Sequence, residues 1–124
     1  MVNINTVLGP IDASDLGFTL SHEHICNGFG GSHFAFPTFL DRHATLERAV
    51  KDLSQARGEG LHTIMDVAPY DQGRDIHMQQ EVSLRTGVNI VVSTGTWLDV
   101  PRFFQGLNPD KIADLYIGEI VDGI

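Results

Sequence analysis

The sequence predicts an α/β fold in which short parallel strands alternate with helices, and three observations carry that prediction. Short runs rich in β-branched residues recur, such as Val88-Asn89-Ile90-Val91-Val92-Ser93, and such runs suit a pleated, buried surface. Between them lie segments whose apolar residues repeat at helical spacing, led by Leu46, Ala49, Val50, Leu53 and Ala56, which is the pattern of a helix with one buried face. Cap and turn residues separate the two kinds of segment in the order β-α-β-α-β-α. Sequential units of this kind imply parallel strands joined by right-handed crossovers.

Taken in order, a short N-terminal segment carries a Gly9-Pro10 turn, and the first strand of the alternation runs from Phe18 to Ile25. The first helix spans Thr45 to Arg57, with Thr45 as its N-cap and the Gly58/Gly60 pair as its stop. Leu61 to Ala68 is the second strand, closed by Pro69. Arg74 to Arg85 is the second helix, ended by Gly87, with a thin apolar stripe of Ile76, Val82 and Met78. Val88 to Ser93 is the third strand. Asn108-Pro109 then matches a cap followed by proline at the first helical position, opening a helix over Pro109 to Val121. Ile112, Leu115, Tyr116 and Ile120 share a face of that helix.

Composition narrows the function classes. The chain has 124 residues, is 42% hydrophobic, and carries 13 Gly and 5 Pro, which predicts one ordered domain over residues 1–124. The formal net charge is −8 and the 8 basic residues are scattered singly, so the counterion-replacing patch of a nucleic-acid binder is missing. No stretch approaches the ~18 consecutive apolar residues of a membrane span. Met1 to Asn5 has neither the basic head nor the apolar core of a signal peptide, which predicts a cytoplasmic protein. Cys26 is the only cysteine, so neither an intrachain disulfide nor a thiolate zinc cluster can form.

Two architectures compete for three β-α units, a small open sheet and part of a closed barrel. A phosphate-cradling glycine turn would favour the open sheet, but Cys26-Asn27-Gly28-Phe29-Gly30-Gly31 lacks its spacing and its immediate helix. A (β/α)8 barrel needs roughly 250 residues. The length here delivers about three of its eight units, which predicts an incomplete, single-domain barrel portion.

Thr19-Leu20-Ser21-His22-Glu23-His24-Ile25 is the most informative segment. Side chains alternate along a strand, so Phe18, Leu20, His22 and His24 share a face. Residues two apart are separated by about 6.6 Å along the strand, and two imidazoles can lean across that gap onto one ion. The bland alternative is a chance pair that packs or meets solvent, since a bare His-x-His is common. Position at the C-terminal end of a strand, where barrel enzymes place their catalytic groups, favours the metal reading. Glu23 points the other way and is expected to brace the site or to pair with a nearby donor.

These residues, with Ile4-Asn5-Thr6-Val7, Gly9-Pro10-Ile11 and Gly17-Phe18, resemble the phosphotriesterase family of the amidohydrolase superfamily. The likeness continues through Thr63-Ile64-Met65-Asp66-Val67, Gly73-Arg74-Asp75, Thr94-Gly95-Thr96-Trp97-Leu98-Asp99 and Glu119-Ile120, in order along essentially the whole chain. The resemblance implies the N-terminal part of a (β/α)8 TIM barrel with two divalent ions, usually zinc. It implies hydrolysis of phosphotriester, lactone or related ester bonds of small molecules by a metal-bound hydroxide. His22 and His24 match the family's first two metal ligands, and Trp97 matches a tryptophan of its leaving-group pocket. A homodimer is the family's assembly.

The sequence also departs from the family. The bridging lysine is expected on a fourth strand, whereas Lys51 and Lys111 both fall in predicted helices. The two later histidines and the final aspartate have no counterpart. Two imidazoles fall short of the three protein ligands usual at catalytic zinc, so no general base or nucleophile is assigned and this chain alone is expected to be inactive. The alternative from another class is a non-catalytic chain acting only by association or complementation. Ser21 stands where threonine is frequent, and Leu98 stands where a second pocket aromatic occurs. Asp66 is expected to pair with neighbouring strands, and Arg74 and Asp75 to be structural. Cys26 is not expected to ligate. His33, His43, His62 and His77 lack chelating spacing, and Phe34, Phe36 and Phe39 form an aromatic loop that either roofs a pocket or packs on the barrel rim.

Overall fold

The computed structural model describes residues 2–124. It opens with β1 (Asn3–Thr6) and β2 (Gly9–Asp12), an antiparallel hairpin in which Asn3 faces Asp12 and Thr6 faces Gly9. The expected Gly9-Pro10 turn is therefore corrected. Val7 and Leu8 make the turn, and Gly9-Pro10 begins the second strand. The Thr6 hydroxyl donates to the Gly9 carbonyl at 2.6 Å. The Val7 amide donates to Ile90 O at 2.9 Å and its side chain is buried, so docking on the main sheet, rather than turn chemistry, chooses this pair. Pro10 is accommodated because the hairpin has free edges that need no donor there.

The main sheet contains β3 (Thr19–Glu23), β4 (Thr63–Asp66) and β5 (Asn89–Val92), all parallel, in the order β3-β4-β5. Thr19 is in register with Thr63 and Thr63 with Asn89, and an irregularity falls between Leu20 and Glu23. The three expected strands are thus present at their expected places, each shorter than its apolar run. Central β4 buries Thr63, Ile64 and Asp66 almost completely. Against it pack Leu46, Leu61, Met78, Val82, Val88 and Ile90.

Four α-helices are present among the described residues: α1 (Ser32–Ala35), α2 (Arg42–Gly58), α3 (Ile76–Thr86) and α4 (Pro109–Val121). In α2 the predicted stripe faces the core, with Leu46 buried and Ala49, Val50, Leu53 and Ala56 packed beside it. The helix starts one turn before the expected Thr45 cap. Asp41 caps it instead, accepting from the Ala44 amide at 3.0 Å, while the Thr45 hydroxyl donates back to Asp41 O at 2.9 Å. α3 begins at Ile76, because Asp75 accepts from the Met78 amide at 3.0 Å and so occupies the cap, leaving Arg74 outside the helix. Its thin apolar stripe is explained by polar burial: Gln79 and Ser83 are buried beside Met78 and Val82, and each makes a hydrogen bond. Gly87 ends α3 with φ +69°, a conformation that costs glycine little.

α4 has the predicted Asn108 cap and Pro109 opening, with Asn108 Oδ1 accepting from the Asp110 amide at 2.9 Å. Its expected apolar face is only partly used. Ile112 and Tyr116 are half-buried, whereas Leu115 and Ile120 remain exposed. None of the helices is long and apolar enough among the described residues to cross a membrane.

Candidate metal centre

Because the three strands are parallel, their C-terminal ends lie on one side of the sheet, and the loops after β3, β4 and β5 share that side. His22 lies within β3 and His24 follows its last residue. Their ring centroids are 5.4 Å apart with planes at 70°, and both rings are exposed. That is a geometry from which two imidazoles can converge on one ion with small side-chain rotations. Glu23 between them is in register with Asp66, and its carbonyl accepts from the Val67 amide at 3.0 Å. With His24, Glu23 borders a groove of about 500 Å3 between β3 and α2, which Arg48 and Asp52 also line.

Asp66 holds the end of the histidine strand in place. Its carboxylate accepts from the Ile25 amide at 3.2 Å, the Ala68 amide at 3.0 Å and Gln79 Nε2 at 2.8 Å, with only 1% of the residue exposed. The Ile25 amide immediately follows His24, so a buried carboxylate orients that backbone. A strand aspartate was the available signal in the sequence, but its partners lie 41 and 13 residues away, beyond what periodicity reveals.

Cys26 is buried. Burial pushes its thiol pKa up and the nearby Asp75 and Asp66 charges add to this. Among the described residues no group of three His, Cys, Asp or Glu is placed to hold an ion. Among the described residues His22 and His24 therefore stand as a pair, with no third His, Cys, Asp or Glu grouped with them.

The other histidines are apart from this pair. Buried His33 places Nε2 3.1 Å from Asp75 Oδ2, and Asp75 also takes a bidentate contact from Arg42 at 2.7 and 3.2 Å. This cluster ties α1, α2 and α3 together. His62 Nδ1 lies 2.9 Å from Gly60 O, while His43 and His77 face solvent. Phe34, Phe36 and Phe39 are exposed; Phe36 and Phe39, with Phe29, line an apolar hollow of about 480 Å3 on the loop after β3, and Phe34 lies outside it.

Trp97 stands in the loop after β5, 61% exposed, and its amide donates to Asp71 Oδ1 and Oδ2 at 3.1 and 3.3 Å. Arg74 pairs with Glu119 at 2.5 Å, donates to Ser93 O at 2.9 Å, and shares Glu119 with the Thr94 hydroxyl. Arg74 and Asp75 thus have the structural roles expected of them, with partners that the sequence alone does not reveal.

The parallel sheet thus carries a histidine pair at the C-terminal end of β3, and comparison with known proteins gives the family. The family model described as the phosphotriesterase family matches residues 2–124. This chain belongs to that family. It is 34% identical over 116 residues to the aryldialkylphosphatase of Saccharolobus solfataricus, covering 92% of this chain and 37% of the relative. It is 34% identical over 134 residues to a phosphotriesterase homology protein of Mycobacterium tuberculosis, covering 100% of this chain and 41% of the relative. A phospho-furanose lactonase of Mycoplasmopsis agalactiae is 32% identical over 128 residues, covering 98% of this chain and 36% of the relative. The chain thus spans about two fifths of the length of these curated relatives.

Proposed function

We propose that this chain carries the first metal-binding half of a hydrolase that cleaves phosphotriester, lactone or related ester bonds in small molecules. The observation that supports this best is the His22–His24 pair, 5.4 Å between centroids, at the C-terminal end of β3. His22 and His24 would hold a divalent ion, with zinc the natural candidate for nitrogen ligands. Such an ion, when bound, makes water a nucleophile near neutral pH and polarises the phosphoryl or carbonyl oxygen under attack. The chain's own residues have supporting tasks. Asp66 orients the backbone beside His24, and Trp97 offers an exposed aromatic face to an apolar leaving group. In this reading β3, β4 and β5 are the first three strands of a (β/α)8 barrel whose remaining strands complete a two-ion site, and the 124-residue chain alone is not competent.

The test is a zinc titration followed by the imidazole NMR signals of the chain. Selective shifts of His22 and His24, lost in the double variant His22→Ala/His24→Ala, are expected. Zinc-dependent shifts confined to other histidines would sink the assignment.

A further inference from the structure

We propose that Asp71 is a positioning residue for Trp97, and that the turn Tyr70–Gly73 fixes the aromatic loop after β5 relative to the loop that follows His24. The inference rests on the reading of Trp97 as a pocket residue only where substrate is concerned. The tether itself stands on geometry.

On one side the turn is pressed against the loop after β3. The Gly28 amide donates to Gln72 O at 3.0 Å. A Cβ built on Gly30 would lie 2.7 Å from Tyr70 O, and one on Gly73 would lie 3.1 Å from Gly28 N. Gly73 closes the turn at φ +92°. Gly30 and Gly73 thus allow backbone to meet backbone, leaving the turn little freedom to drift.

On the other side the turn holds the loop after β5 at two points. At the base, Arg74 donates to Ser93 O and pairs with Glu119, which also accepts from the Thr94 hydroxyl. At the tip, both oxygens of Asp71 accept from the Trp97 amide. Between base and tip lies Gly95 at φ +91°, where a Cβ would meet nothing within 4 Å. The indole is mostly exposed, so packing does not fix it. The bond to Asp71 is what stops the loop pivoting at Gly95, and through it the position of Trp97 follows the histidine loop.

Trp97 is the only tryptophan among the 124 residues, so its emission reports this loop alone. Fluorescence anisotropy and acrylamide quenching would be compared in the wild-type chain, Asp71→Ala and Asp71→Asn. The alanine variant should lower the anisotropy and raise the quenching constant. The asparagine variant retains an acceptor oxygen and should restore both. Alanine and wild-type values that coincide, with unchanged circular dichroism, would overturn the proposal. Should the alanine variant lose its fold, Asp71→Leu, close in size and without an acceptor oxygen, takes its place: altered anisotropy supports the tether and unaltered anisotropy overturns it. In the metal-loaded hydrolase that contains this chain, Asp71→Ala should raise KM for an aryl phosphotriester about fivefold with kcat little changed, the effect of one lost hydrogen bond. A fluorescence response without a KM response keeps the tether and overturns the pocket role of Trp97, so the two failures are distinguishable.

Discussion

At the scale of single residues, buried carboxylates govern how the histidine strand and the helices meet. Asp66 satisfies two backbone amides and one side-chain amide in a dry setting. Removing it strands three buried donors, and each costs about 1–3 kcal/mol. Asp66→Ala should therefore lower the melting temperature markedly and, on the proposed reading of His22 and His24 as zinc ligands, weaken zinc binding about tenfold, as loss of an orienting partner does. Calorimetry and zinc titration check the two effects. Asp75 works through charge. Burial alone would raise its pKa, but the Arg42 guanidinium, the Met78 amide and the nearby His33 outweigh it and hold the carboxyl below the usual carboxylate value. A depressed folded pKa contributes stability that is fully present above the unfolded value of ~3.9 and is lost as pH falls through it towards the folded value. Asp75→Asn should be less stable at pH 7 and should lose less further stability between pH 5 and 2, as followed by circular dichroism.

At the scale of elements, the predicted helices are all present because caps and stripes are local signals. Asn108-Pro109 opens α4 as read from the sequence. Thr45 and Asp41 are both acceptable caps, and the earlier one wins by giving α2 an added turn that brings Arg42 to Asp75. The β1–β2 hairpin was not legible as strands. Two four-residue strands carry almost no periodic signal, and their register depends on Val7 docking against Ile90. Close loop packing is likewise tertiary. Gly30→Ala places a Cβ against the Tyr70 carbonyl, and should cost about 2 kcal/mol, whereas Gly31→Ala meets no neighbour and should cost less through its positive φ alone. Urea midpoints of the two variants give the comparison.

For the whole molecule, order is concentrated in the centre of the sheet. β4 is hydrogen-bonded on both sides by parallel neighbours and buries Ile64 and Thr63, while α4 has no fully buried residue. Native-state hydrogen exchange should find β4 amides the most protected and α4 amides among the least. Equal protection in both would mean that α4 is held by contacts absent from this arrangement. Ile64→Ala should destabilise the chain by about 3 kcal/mol, the transfer and cavity cost of a large core residue.

The sequence by itself determined the alternation of strand and helix, the parallel sheet, the positions of three strands and the His22-x-His24 pair at a strand end. These rest on period-2 and period-3.6 patterns and on local caps, which act within a few residues. Only the tertiary structure decided that Asp66 braces the histidine strand, that Asp75 joins three helices, and that Asp71 holds Trp97. Each of these links residues 26 to 41 positions apart in part. Such pairings are chosen by which buried donors and acceptors the packed core brings within reach of one another.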